Sequence, residues 1–258
     1  MIILKSPAEI AVMRVAGSIL AVVLEELRAM IRPGIILKEL DKKAEQITRQ
    51  YKAIPAFKGY NGFPASLCAS VNEEVVHGIP GNRALKNGDI VGLDFGVIYQ
   101  NFYADAAITV AVGQVDPEVG RLIRITEEAL FKGISQAKPG NRLYDISGAI
   151  QRYVEANGFS VVRDFVGHGI GRKMHEAPQI PNFVGNDFNP VLKTGMALAI
   201  EPMVNIGTYE VEVDTMDNWT VRTLDHKFSA HFEHTVAITG AEPEILTLLR
   251  PELLPEIV

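Results

Sequence analysis

The order of segments in this chain repeats, and that repetition limits the folds open to it. RPGIILKEL (32–40) returns as KPGNRLYDI (138–146) at an offset of 106, and LKNGDIVGLD (85–94) returns as LKTGMALAIE (192–201) at an offset of 107. The punctuation around the matches repeats too. Ser6-Pro7-Ala8-Glu9 reads as a helix start, with Ser6 as cap, proline at the first helical position and Glu9 closing a capping box. An apolar helix runs on to about Ile31, where Arg32-Pro33-Gly34 stops it. A second helix is expected from about Leu37 to Tyr51, with Leu40, Ala44 and Ile47 at helical spacing, followed by strands and turns to about Val112. Residues 117–137 then read as a helix stopped by Lys138-Pro139-Gly140, and Leu143 to Asn157 as another stopped by Gly158, with strands after it. Two copies of helix–helix–strands predict one α+β domain over residues 1–258, with approximate two-fold symmetry and a site between the halves.

At 258 residues and 47% hydrophobic, the chain can fill a sizeable core. A net charge of −6 with both signs dispersed excludes a protein that tracks nucleic-acid phosphates. One cysteine, Cys68, forbids an intrachain disulfide and fits a reducing compartment. The opening MIILKSPAEI lacks the basic-then-apolar layout of a secretory signal, and no apolar run reaches the ~20 residues that cross a bilayer. A cytoplasmic protein is expected.

The segment VGLDFGVIYQNFYADAAITV (91–110) is apolar and strand-forming, yet carries Asp94 and Asp105. A hairpin turning on Tyr99-Gln100 puts the two aspartates directly opposite each other, on a face shared with Gly92, Gly96, Tyr103 and Ala107. Val91, Leu93, Phe95, Phe102, Ala104, Ala106 and Ile108 take the other face. Tyr-Gln is not a two-residue turn signature, and a one-residue slip separates the acids. The second half uses the same device. Glu201 shares a face with Ala197 and Ala199, and Glu233 with His231, Thr235 and Ala237. Clustered carboxylates repel unless something cancels their charge. Four of them carry about −4, which two divalent cations neutralise, so the acids read as metal ligands.

A histidine segment accompanies them. In DFVGHGIGRKMHEAP (164–178), His168 lies between two glycines that allow close backbone approach, and imidazole among carboxylates suits Mn, Fe, Co or Zn. His175 and the glycine-followed His77 are candidates to touch metal or substrate. His231 shares the Glu233 face and can stand behind the ligands. His234 points the other way, toward packing, and His226 reads as a turn residue.

Together NEEVVHGIP (72–80), LDFGVIYQNFYADAA (93–107), GHGIGRKMHEAPQIPN (167–182), IEPM (200–203), NWTVRTLDHKFSAHFEHT (218–235) and EILT (244–247) resemble the type I methionine aminopeptidases over nearly the whole chain. The resemblance implies a pita-bread α+β fold, its antiparallel sheet flanked by two helix pairs. It implies a dinuclear site in which Asp94 holds one ion, Asp105 and Glu233 bridge, and His168 and Glu201 complete the other. The two divalent ions would be Co, Mn, Fe(II) or Zn. His77 and His175 become substrate-contacting histidines, and Glu201 doubles as the proton carrier. Tyr60, Phe63, Cys68 and Trp219 become the pocket for a methionine side chain. Phe57, Phe63 and Met174 depart from common family residues and leave the pocket's shape open.

The implied reaction is attack of a metal-activated hydroxide on the first peptide bond, removing the initiator methionine when the second residue is small and uncharged. Nascent polypeptide N-termini are the implied partners, with ribosome contact and a monomeric state expected, and neither nucleic acid nor membrane. Two alternatives are an Xaa-Pro-type peptidase of the same fold, which usually carries an additional N-terminal domain, and a non-catalytic binding protein on that fold, which would have lost its ligands.

Overall fold

The first helix starts at its expected capping box. In the computed structural model, which describes residues 1–240 and 242–256, the Ser6 hydroxyl accepts from the Glu9 amide and the Glu9 carboxylate accepts from the Ser6 amide. Helix α1 spans Pro7–Met30 and α2 spans Leu37–Gln50, burying Leu40, Ala44 and Ile47 as their spacing requires. In the second half α3 runs Pro117–Ile134 and α4 Leu143–Ala156. The Asp116 side chain caps α3 by accepting from the Glu118 amide. α3 ends earlier than its pattern suggested. Among the described residues no helix is long and apolar enough to cross a membrane.

Strands fill the intervals. The first half holds β1 (Ile54–Pro55), β2 (Leu67–Val71), β3 (Glu74–Val76), β4 (Ile90–Tyr99) and β5 (Phe102–Ala111). The second holds β6 (Ser160–Val161), β7 (Gly167–Gly169), β8 (Glu176–Ile180), β9 (Ala197–Ile200), β10 (Met203–Asn205), β11 (Val211–Val213), β12 (Val221–Thr223), β13 (Ser229–His231), β14 (Glu233–Ile238) and β15 (Pro243–Ile245). The main sheet has the order β1-β4-β5-β14-β9-β7-β8, with β2 also on β4 and β15 on β14, and its pairings are antiparallel.

The sequence repeat is a repeat of hydrogen bonds. Gly34 and Gly140, at φ 89° and 92°, turn the link between the two helices of each half in the left-handed region that glycine tolerates. The Gly34 amide donates to the Leu85 carbonyl at 2.7 Å, and the Gly140 amide to the Leu192 carbonyl at 3.0 Å. Isolated bridges Ile36–Ala84 and Arg142–Val191 follow at matching positions. The halves meet where β5 pairs β14, with Glu233 opposite Ala107. The helix pairs cover one side. Leu93, Phe95, Val97, Ala104 and Ala106 join α1 and α2 in one core, while Leu198, Ile200, Val236 and Ile238 join α3 and α4 in another. Residues of the opposite parity on β4 and β5 are left for the site.

The hairpin differs from expectation in register. It turns on Gln100-Asn101, whose φ angles of 46° and 64° are those of a type I′ turn. Tyr99 therefore pairs Phe102, Gly96 pairs Asp105 and Asp94 pairs Ala107. The aspartates are diagonal rather than directly opposed. Moving the turn by one residue shifts each partner by two, so both acids keep the expected face. Asparagine accepts positive φ far better than tyrosine does, which selects this turn.

Candidate metal centre

Five ligand candidates from five strands or strand ends converge on one cavity. Asp94 sits mid-β4 with Cys68 of β2 as its register partner, and Asp105 sits mid-β5. Glu233 opens β14 opposite the small Ala107, which leaves room for a carboxylate. Glu201 follows the last residue of β9, and its carbonyl accepts from the Asn182 side-chain amide at 3.0 Å. His168 stands in β7 between glycines whose absent side chains are required. A Cβ on Gly167 would lie 2.4 Å from the Ala199 carbonyl oxygen, and one on Gly169 2.3 Å from that of Ala177.

The His168 ring is oriented by its far nitrogen. Nδ1 lies 2.9 Å from the Gly169 carbonyl oxygen, which can only accept. Nδ1 therefore carries the proton, and the Nε2 lone pair faces the acids, 3.9 Å from Asp105 Oδ2 and 3.7 Å from Glu201 Oε1. Burial lowers its pKa to about 4, so the ring is neutral near pH 7.

Ligand atoms of Asp105, His168 and Glu233 all lie within 4.8 Å of one another. Asp94 Oδ1, Asp105 Oδ1 and Glu233 Oε1 are buried without a hydrogen-bond partner. Burial raises the Asp94 carboxyl to about 7 and that of Glu201 to about 8. Burial first, and then the neighbouring acids, push Asp105 and Glu233 well above the carboxylate range. Orphaned buried carboxylates are costly by themselves. A divalent cation supplies the missing partner and the missing charge, so these residues fit a metal.

The cavity beside them measures about 180 Å³. Its apolar walls are Phe57, Tyr60, Phe63, Cys68, Met174 and Trp219. The Phe63 and Trp219 rings meet edge to face at 5.2 Å. Phe57 and Met174 both close over Gly96, where a Cβ would lie 2.8 Å from each. Burial, with the nearby acids adding to it, raises the Cys68 thiol well above its ordinary value, making it an unreactive wall.

Two further histidines stand at the polar side. His77 holds a positive φ of 59°, is fixed edge-on to Phe165 and Trp219, and is kept neutral by a pKa near 4. His175 lies with its ring 4.3 Å from that of His168, its Nδ1 2.7 Å from the Tyr60 hydroxyl, and its pKa lowered by burial. His234 turns away, with Nδ1 2.8 Å from the Thr247 hydroxyl, and His226 occupies an exposed position at φ 56°.

Some supporting residues were not found from sequence. Asn182 lies inside a recognisable segment, but only the fold shows that it holds the Glu201 carbonyl. Thr109 and Thr235, which clip the seam between halves, needed the register. Lys5 and Glu176 form a buried ion pair across 171 residues with no local signal.

Residues 11–240 match the family described as metallopeptidase family M24. The chain is 58% identical to a methionine aminopeptidase of Clostridium perfringens, over 97% of this chain and 100% of that one. The crystal structure of methionine aminopeptidase from Rickettsia prowazekii superposes with a TM-score of 0.94 at 42% identity, covering 96% of this chain and 100% of that one. An Xaa-Pro dipeptidase from Bacillus anthracis shares the fold at a TM-score of 0.74 and 22% identity, over 95% of this chain and 61% of that one.

Proposed function

The chain belongs to metallopeptidase family M24, and we propose that it works as a methionine aminopeptidase, removing initiator methionine from peptides and nascent proteins whose second residue is small and uncharged. One observation carries the reading: an apolar cavity ends on a cluster of five side chains able to ligate metal, of which Asp105, His168 and Glu233 are buried and Asp94 and Glu201 half-buried. Asp94, Asp105, His168, Glu201 and Glu233 would hold two divalent ions, with Asp105 and Glu233 shared between them and Mn, Fe(II), Co or Zn all compatible with the donors. When bound, such ions supply Lewis-acid polarisation of the scissile carbonyl and make a water acidic enough to attack near neutral pH.

The protein's own groups do the rest. Glu201, ionised once it holds a cation, can accept the water's proton and pass it to the leaving amide nitrogen. If the Tyr60 hydroxyl donates to His175 Nδ1, Nε2 keeps the ring proton and can donate to the developing oxyanion. Neutral His77 is placed to hydrogen-bond the substrate backbone near the leaving nitrogen. The substrate's free α-amine belongs at the Asp94 end of the cluster, which an internal peptide bond cannot satisfy. Tyr60, Phe63, Cys68 and Trp219 bury the methionine side chain, worth roughly 1.5–3 kcal/mol. One methylene more or less changes that by only about 1–3 kcal/mol, so selectivity is strong and not absolute.

The wider reading is one catalytic domain over residues 1–258, acting as a cytoplasmic monomer that meets new chains at the ribosome. The sheet running continuously through both halves supports one domain, and the unpaired, buried Cys68 supports a reducing setting. The test compares Met-Ala-Ser with an Xaa-Pro peptide across added metals, with and without chelator. Metal-dependent release of methionine is expected, with Asp105→Asn and Glu233→Gln abolishing turnover and weakening metal binding, and His175→Ala lowering turnover with both ions retained. Preference for the Xaa-Pro peptide, or full activity after metal removal, overturns it.

A further inference from the structure

The Glu201 carboxylate lies between two imidazoles. Its Oε1 is 3.7 Å from His168 Nε2, on the side of the acid cluster, and its Oε2 is 3.6 Å from His231 Nε2. His231 is buried, 3% exposed, and its Nε2 has no hydrogen-bond partner. Its backbone is fixed from both ends by one side chain. The Thr109 hydroxyl donates to the His231 carbonyl at 2.8 Å and accepts from the His231 amide at 2.9 Å. An unpaired ring nitrogen in such a place has a cost that needs a compensating role. The groups facing the ring are Glu201, Asp94 and His77.

We propose that His231 is a positioning residue for Glu201, donating from Nε2 to Oε2 and so turning Oε1 toward the cations and the reacting water. The 3.6 Å separation is longer than an ordinary hydrogen bond, and such contacts commonly tighten in the loaded site. The proposal rests on the reading of Glu201 as ligand and proton acceptor. His231 itself touches neither substrate nor cation. It fixes which oxygen of Glu201 does each job, since a free carboxylate could present either.

Three variants separate donor position from bulk: His231→Gln, whose amide can reach Oε2, His231→Asn, whose amide cannot, and His231→Leu, which has no donor. Each is checked for folding by circular dichroism, titrated calorimetrically with Mn²⁺ alone, and assayed on Met-Ala-Ser. In His231→Leu and His231→Asn we expect Mn²⁺ affinity and kcat to fall about 10–100-fold, the range for losing an outer-shell partner, with KM changed less than about threefold. His231→Gln should recover both to within about threefold of the parent. Three results overturn the proposal: His231→Asn matching the parent in Mn²⁺ affinity and kcat, Gln and Asn variants equally impaired, or loss of one whole Mn²⁺ equivalent, which would make His231 a ligand. A parent protein that binds no Mn²⁺ removes the metal-centre reading itself. A parent that binds it beside unaffected variants removes the His231 proposal alone.

Discussion

Thr235 holds Asp105 by its backbone. The Thr235 hydroxyl donates to the Asp105 carbonyl at 2.8 Å and accepts from the Asp105 amide at 2.9 Å. Thr109 does the same for His231 farther along the seam between the halves. One hydroxyl thus ties β5 to β14 and the other ties β5 to β13, on either side of the pair Glu233–Ala107. The carboxylates of Asp105 and Glu233 are brought together by these clips.

Thr235→Val keeps the side-chain shape and removes the hydroxyl. The amide and carbonyl of Asp105 are then buried without partners, which costs roughly 2–4 kcal/mol for the two groups. Urea denaturation of the metal-free variant should show a loss of that size, and Mn²⁺ affinity should drop as Asp105 loses its anchor. A loss below about 0.5 kcal/mol would mean that the clip contributes nothing.

The acid cluster sets the pH dependence of the metal-free protein. The carboxyls of Asp94 and Glu201 are raised to about 7 and about 8 in the fold, against roughly 4 in an unfolded chain. A group raised on folding favours the folded state while protonated. Its contribution is complete below about pH 4 and disappears as the pH passes the folded values. Histidines lowered by burial, His77, His168 and His234 to about 4, gain stability up to about pH 6.5 and offset the acids there. Chelated protein should therefore lose stability between about pH 6.5 and pH 8, by roughly 1.4 kcal/mol per pH unit for each proton released. Saturating Mn²⁺ binds the ionised forms and should remove the decline. Melting temperatures at four pH values, with chelator and with Mn²⁺, measure it. A metal-free profile that stays flat between about pH 6.5 and pH 8 would show that the acids are not held in a common low-dielectric cluster.

How much could be read in advance depended on whether a signal was local. Helix starts were legible because Ser6, Pro7 and Glu9 act within one turn, whereas α3 ends at Ile134, six residues before the Gly140 that its pattern offered as a stop. That Asp94 and Asp105 share a face followed from strand alternation, which survives an even shift of partners. Their register did not follow, because it depends on whether Tyr99-Gln100 or Gln100-Asn101 takes positive φ. The glycines around His168 were visible, but the carbonyls they make room for belong to Ala177 and Ala199 on other strands. Contacts between distant segments, such as Asn182 with Glu201, have no sequence period to betray them.

Lys5 and Glu176 are another such distant contact. Their side chains are 3% and 4% exposed and meet at 2.6 Å. Glu176 also accepts from the Arg172 and Lys173 amides, and Gly171 leaves the space, since a Cβ there would lie 2.4 Å from Lys5 Cε. The pair ties the start of the chain to the turn that carries His175. Lys5→Met strands the Glu176 charge and should cost about 3–5 kcal/mol. The double variant Lys5→Met/Glu176→Gln should recover more than half of that. Guanidinium denaturation of the four proteins in the cycle checks it, and additive losses would show that the two side chains act independently.

Gly96 controls the shape of the cavity, because Phe57 and Met174 close over the space where its side chain would be. In Gly96→Ala the new methyl would sit 2.8 Å from Met174 Cε, 2.8 Å from Phe57 Cε1 and 2.9 Å from Ala56 Cβ. Ala56 cannot swing away, so the Met174 end and the Phe57 ring must move, and the free space for both lies in the cavity. KM for Met-Ala-Ser should rise about 10-fold, equivalent to roughly 1.4 kcal/mol of lost binding. Removing the bulk again with Met174→Ala in the same chain should bring KM partly back. Mn²⁺ affinity should stay at the parent value, since Asp94 lies two residues away on a strand whose pairing is unchanged. Steady-state kinetics and a Mn²⁺ titration of both variants distinguish the possibilities. If kcat and Mn²⁺ affinity fall while KM holds, the strain has travelled along β4 into the ligand, and the cavity is not what Gly96 protects.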